Sequence, residues 1–151
     1  MPLDEELLLD LIGRFEEAML APAEWPRALE RLSDALGGVP LHFGVQRLPK
    51  GMDWMVSVRR DSIYDRIFQE RLAPPNSNPI MEAAKTMRPS VLYQRHELID
   101  DAAYRASPMY HETIRPMGQG EFALAMLLRT VDYVAPFTVY CRLGDGSFTE
   151  P

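Results

Sequence analysis

The hydrophobic period of this chain changes three times: from helical to two after Gly37-Gly38, back to helical at Asp61, and again to two after Gly118 and Gly120. Up to Gly38 the period is helical. Leu8, Leu11, Ile12, Phe15 and Met19 recur at helical spacing, with Asp10, Arg14, Glu16 and Glu17 on the opposite side. "APAEWPRALERLSDALGG" reads as a second helix, with Trp25, Leu29, Leu32 and Leu36 in one stripe and Gly37-Gly38 as its stop. From Leu41 the period is two. Leu41, Phe43 and Val45 alternate with His42, Gly44 and Gln46; after "PKGM", Trp54, Val56 and Val58 alternate with Met55, Ser57 and Arg59. That predicts an antiparallel hairpin.

Helical spacing returns in "DSIYDRIFQERLA", where Ile63, Tyr64, Ile67, Phe68 and Leu72 form a stripe, and "PPNSNP" breaks it. Pro79 opens a short helix, "PIMEAAKTM", which Pro89 closes. "SVLYQ" reads as a short extended segment. "ELIDDAAYRAS" and "SPMYHETI" read as two short helices, the second with Ser107 as N-cap and Pro108 at its first position. "EFALAMLLR", apolar on both faces, predicts a central strand covered on each side. "PFTVYCRL" alternates Phe137, Val139, Cys141 and Leu143 with Thr138, Tyr140 and Arg142, after a short link, "TVDYVA".

Strands that do not alternate singly with long helices argue against a parallel sheet. The expected fold is α+β: an antiparallel sheet with mid-chain helices over one face and the N-terminal helices packed on the other, the layout of PAS and GAF domains. At 151 residues the length fits one domain, with residues 1–38 as the N-terminal helices and 39–151 as the PAS/GAF-like core.

Charge and cysteine content narrow the function. With 22 Asp and Glu against 16 Lys and Arg, and no basic stripe, the chain is a poor partner for phosphates. Cys141 is the only cysteine, which excludes an internal disulfide and suits a reducing compartment. The opening "MPLDEELLLDLIG" has acids where a signal peptide needs bases, and no apolar run approaches the roughly 18 residues of a membrane helix. A soluble, cytoplasmic protein is expected, without a membrane partner.

The stretch "YRASPMYHETIRPMGQGEFALAM" concentrates polar residues and so raises the question of catalysis. His42, His96 and His111 have no metal-ligand spacing, and neither a G-x-S-x-G elbow nor a phosphate loop is present. "GQGEFA" precedes a strand instead of following one, which is the wrong context for a dinucleotide loop. Pro116, Gly118 and Gly120 instead mark a helix-to-strand junction. No metal, cofactor or catalytic residue is expected; the enzymatic alternative uses His111 and Glu112. What remains is aromatic and sulfur-rich: Trp54, Tyr64, Phe68, Met81, Tyr93, Leu124 and Met126. These side chains either fill a plain core or wall a small-molecule pocket between the sheet and the inserted helices, where tyrosine hydroxyls orient a ligand. In the pocket reading, Tyr64 and Phe68, four apart on one helix, face the sheet together.

Three passages in order, "LLDLIGRFEEAMLAPAEWPRALERLSDALGG", "YDRIFQERLAPPNSNPIMEAAKTMRPSVLYQ" and "SPMYHETIRPMGQGEFALAM", resemble the N-terminal sensor region of LuxR-type helix-turn-helix transcription regulators. The resemblance implies a non-catalytic domain that senses a small apolar or amphipathic molecule and forms a homodimer, here through the N-terminal helices. Members that sense acyl-homoserine lactones carry aromatic residues and an Asp-Pro step mid-chain. Tyr64, Phe68 and Tyr93 stand at comparable aromatic positions, and the step is Asn78-Pro79 here, which adds Asn78 to the candidate ligand contacts. The family also implies a C-terminal DNA-binding domain. Thr149, Glu150 and Pro151 read as the first turn of a further helix, so the chain is expected to be the sensor piece of a longer regulator that reaches DNA only through that other domain. A module that serves self-association alone is the structural alternative.

Overall fold

The structure, a computed structural model, describes residues 4–72 and 79–146. Helix α1 (Glu5–Leu20) starts at Asp4, whose carboxylate accepts the Leu7 amide at 2.7 Å. After a 3-10 turn through Pro22–Glu24, helix α2 (Trp25–Ala35) ends where Gly37 and Gly38 take φ of 83° and 80°, and the Gly38 amide returns to the Ser33 carbonyl at 2.7 Å. The glycine pair stops the helix because only glycine adopts that conformation without strain.

Strands β1 (Leu41–Arg47), β2 (Gly51–Val58), β3 (Leu92–Gln94), β4 (Gln119–Arg129) and β5 (Tyr133–Arg142) make one antiparallel sheet in the order β2-β1-β5-β4-β3. The last strand in the chain therefore lies in the middle. The described residues between β2 and β4 form an insertion over one face, apart from the edge strand β3.

That insertion is a run of short, individually capped pieces. Helix α3 (Ser62–Ile67) is capped by Asp61 and continues as a wider π turn, Phe68–Leu72. Helix α4 (Pro79–Ala84) leads to β3. The segment expected as one helix over "ELIDDAAYRAS" is two, α5 (Arg95–Leu98) and α6 (Asp101–Ala106). Ile99 between them is extended and buried, and Asp100 caps the second by accepting the Ala103 amide. Ser107 caps the next turn through its Oγ, which accepts the Tyr110 amide at 3.2 Å. A π turn (Tyr110–Ile114) and a 3-10 turn (Arg115–Met117) follow, and Gly118 at φ 69° turns the chain into β4. The polar stretch from Tyr104 is thus a junction. His111 is exposed, and Glu112 pairs with Arg71 at 2.9 Å.

Two cores result, one on each face of the sheet. On the first, α1 and α2 cover Leu41, Phe43, Val56, Val58, Phe137 and Val139, with Leu29 buried between. On the second, the insertion covers Phe122, Leu124, Met126 and Tyr140 with Phe68, Ile80, Met81, Met109 and Ile114. One end of this second core is closed by Tyr104, fully buried, whose hydroxyl donates to the Gly120 carbonyl at 2.6 Å. The buried Arg95 guanidinium lies over the Tyr104 ring and meets both Glu121 oxygens at 2.8 Å. Asn78 and the segment Thr149, Glu150 and Pro151 lie outside the described residues.

Candidate functional site

The strand period decides which side chains reach the insertion. Along β1 the odd residues Leu41 and Phe43 point to α1 and α2, so His42, Gly44 and Gln46 point the other way. The pairing of β1 with β5 sets His42 opposite Thr138, and Tyr140 follows two residues on. His42, Gln46, Thr138 and Tyr140 are all buried, at 3%, 1%, 5% and 5% exposure. Gly44 sits between the first two because a Cβ there would lie 2.9 Å from the Met52 sulfur and 3.1 Å from the Trp54 carbonyl. The missing side chain lets Met52 fold over the strand.

These four polar groups form one wall of an internal void of about 40 Å³. The other walls are Phe122, Leu124 and Met126 from β4, Met81 and Ala84 from α4, Phe68 from the turn after α3, and Met109 and Ile114 from the later insertion. The volume admits a few water molecules and no more.

Polar satisfaction on this wall is incomplete. Tyr140 Oη lies 3.4 Å from His42 Nδ1, while His42 Nε2 and Gln46 Oε1 have no partner. A buried polar atom left unpaired costs on the order of 1–3 kcal/mol. Burial, helped by the charge of Arg60, pulls the His42 pKa down to about 3, so the ring is neutral and one nitrogen donates while the other accepts. Burial likewise pushes the Tyr140 phenol up, with the Arg60 charge opposing it. Arg60 itself is fully buried behind the wall. It stacks 4.2 Å from the Tyr140 ring centre, donates to Asp65 at 2.7 Å and donates to Gln119 Oε1 at 2.9 Å. Its charge is matched by Asp65, so the void faces neutral donors and acceptors. Among the described residues no carboxylate, lysine or thiol lines it. The arrangement can offer hydrogen-bond donors and acceptors to a neutral guest.

The structure brings together half of the expected contacts. Phe68, Met81, Leu124 and Met126 all line the void. Trp54 does not: it packs on the other face, its ring 6.1 Å from Trp25 and 5.4 Å from Phe43. The hairpin register places it there, since Trp54 pairs with Val45 and shares that residue's face. Tyr64 is half-buried and lies off the void. The π turn beginning at Phe68 widens the helix, so residues four apart no longer stack on one line. Tyr93 stands on the edge strand, where its hydroxyl accepts the Arg88 amide at 3.2 Å.

His42, Gln46, Thr138 and Tyr140 are not among the residues that aromatic and sulfur content single out, although the sequence carries a signal for them. They are the even members of two alternating strands, and they become a polar wall once both faces of the sheet are covered.

No family model and no curated protein matches the sequence. Solved structures do match in shape. The VqsR ligand-binding domain from Pseudomonas aeruginosa superposes with a TM-score of 0.64 at 11% identity, over 91% of this chain and 83% of that one. CepR2 from Burkholderia cenocepacia, an N-acylhomoserine lactone-dependent LuxR-family transcription factor, superposes with a TM-score of 0.61 at 17% identity, over 92% and 78%. This chain has the LuxR-type ligand-binding domain fold. In that fold its two covered sheet faces, one dry and one polar, are the feature a function has to use.

Proposed function

We propose that residues 1–151 are the small-molecule-sensing domain of a transcription regulator, cytoplasmic and without catalytic activity of its own. The observation that carries this reading is the pair of unpartnered atoms, His42 Nε2 and Gln46 Oε1, on the wall of the void between sheet and insertion. Groups that cost stability where they stand are explained by a guest that satisfies them. The ligand is uncharged, because the ring of His42 is neutral and no charged side chain of the described residues lines the void. It carries at least one hydrogen-bonding group and an apolar body to meet the methionines. The shared fold with regulator ligand-binding domains agrees with this use.

The same reading includes a homodimer formed through α1. Leu8, Leu9, Ile12, Met19 and Leu20 of that helix are exposed at 46%, 62%, 45%, 65% and 89%. An outer apolar stripe of this kind marks a contact surface, and twofold regulators match twofold operators. The small size of the void favours one second reading, a module that only self-associates and whose void holds water.

Differential thermal denaturation against a panel of uncharged amphipathic molecules separates the two. A sensor is stabilised by some member, and Thr138→Val reduces that stabilisation while His111→Ala leaves it intact. A panel without any hit, or hits indifferent to Thr138→Val, leaves the self-association module.

A further inference from the structure

The void has recognition groups but little room. A second space has the room and few such groups. A surface groove of about 630 Å³ opens between the β1–β2 turn, α4 and the tip of the β4–β5 hairpin. Its floor and sides are Leu48, Pro49, Val131 and Val134, and charged Glu82, Lys85 and Arg129 stand at its rim. Val131 is 91% exposed. That volume lies in the range of small-molecule pockets, roughly 300–1,000 Å³, whereas the inner void lies far below it.

The two spaces are neighbours. Met81 and Ala84, both on α4, line the void and the groove alike. The wall between them is therefore one flexible thioether and one methyl. Methionine is unbranched and changes rotamer at little cost, so a partition made of it can swing aside without unfolding its helix. Arg129 holds the other end of this wall: its Nη1 donates to the Ala84 carbonyl at 3.3 Å and to the Lys85 carbonyl, both at the C-terminus of α4. One side chain from the β4–β5 hairpin thus fixes how far α4 stands from the sheet.

We propose that groove and void are two halves of one ligand site, with Met81 as the door and Arg129 as its latch. The inference rests on the sensing function proposed above and adds a shape to its ligand: an elongated, uncharged molecule. Its hydrogen-bonding end sits against His42, Gln46, Thr138 and Tyr140, and its apolar end runs past Met81 to Pro49 and Val131.

The test uses methyl-labelled protein, with Met109 and Met126 reporting the void and Val131 and Leu48 reporting the groove. The probes are xenon, 1-butanol and 1-octanol. Octanol is expected to shift both sets saturably with one affinity, and butanol to shift the groove set less. Met81→Ala is expected to tighten octanol binding on the order of tenfold by removing the partition, and Arg129→Met to speed its exchange. Octanol shifts confined to the groove, or to the void, in wild type and in Met81→Ala overturn the joined site. If xenon still shifts Met109 and Met126 in that case, the void remains a guest site with another entrance. If neither xenon nor any alcohol shifts the void methyls, the sensing reading falls together with this one.

Discussion

The two faces of the sheet belong to the same strands, yet the cores they carry differ in size and in kind, the larger one lying under the insertion. Beneath α1 and α2 the contacts are aromatic and aliphatic: Phe15, Trp25, Phe43 and Trp54 interlock at ring-centre distances of 4.9–6.1 Å. No polar side chain from the sheet interrupts the cluster around Leu29, Leu41, Val58 and Val139. Under the insertion, the strands present His42, Gln46, Thr138 and Tyr140 to a lid of methionines and short helices, with two polar atoms unpaired. In the function proposed above, the side under α1 and α2 holds the fold and the inner side recognises the guest.

The contrast yields graded expectations. Leu29, 1% exposed in the dry core, is the place for the largest effect: Leu29→Ala is expected to cost about 3 kcal/mol in urea denaturation and to leave guest binding unchanged. A loss below about 1 kcal/mol would show that this face is not the stabilising one. Next is a pH dependence owned by the other face. His42 is held neutral with a pKa of about 3, below its unfolded value, so its contribution to stability is complete above that unfolded value. It is lost as pH falls from about 6.5 toward the folded value, at about 1.4 kcal/mol per pH unit. The slope between pH 6 and pH 4, measured against His42→Phe, should therefore be steeper in wild type; equal slopes break the assignment.

Gln46→Met sharpens the comparison from the opposite direction. Replacing a side chain whose Oε1 has no partner is expected to raise stability by about 1 kcal/mol while weakening the guest site. Loss of stability on that substitution would mean the glutamine is structural. Smallest in stability is Leu9→Asp on the outer face of α1, expected within about 0.5 kcal/mol of wild type. Its readout is mass by light scattering: wild type as a dimer, the variant as a monomer.

The layout of two faces was legible from the period changes alone, because strands with apolar residues on both sides, such as Phe122 to Met126, need two covers. The site was legible only in part. Phe68, Met81, Leu124 and Met126 are large apolar residues in segments that must meet, and they do line the void. Trp54 went to the wrong face because a large aromatic was given weight over the pairing that binds it to Val45. Tyr64 depended on an unbroken α-helical period, and the π turn at Phe68 has no signature in the side-chain spacing. The polar wall is not legible in the period alone, because the polar half of an alternating strand faces water unless a second layer covers it. Here Gly44 and the covering Met52 were the clues that His42 and Gln46 point inward.

The central claim is that recognition belongs to the polar inner face. It is tested most directly by the rise in melting temperature that a stabilising uncharged amphipathic molecule gives to wild type, Leu29→Ala and Gln46→Met. The expected result is the same rise in Leu29→Ala as in wild type, from a lower starting point, and little or none in Gln46→Met. An equal rise in wild type and Gln46→Met, with the rise lost in Leu29→Ala, would place the guest beneath the N-terminal helices and contradict the account.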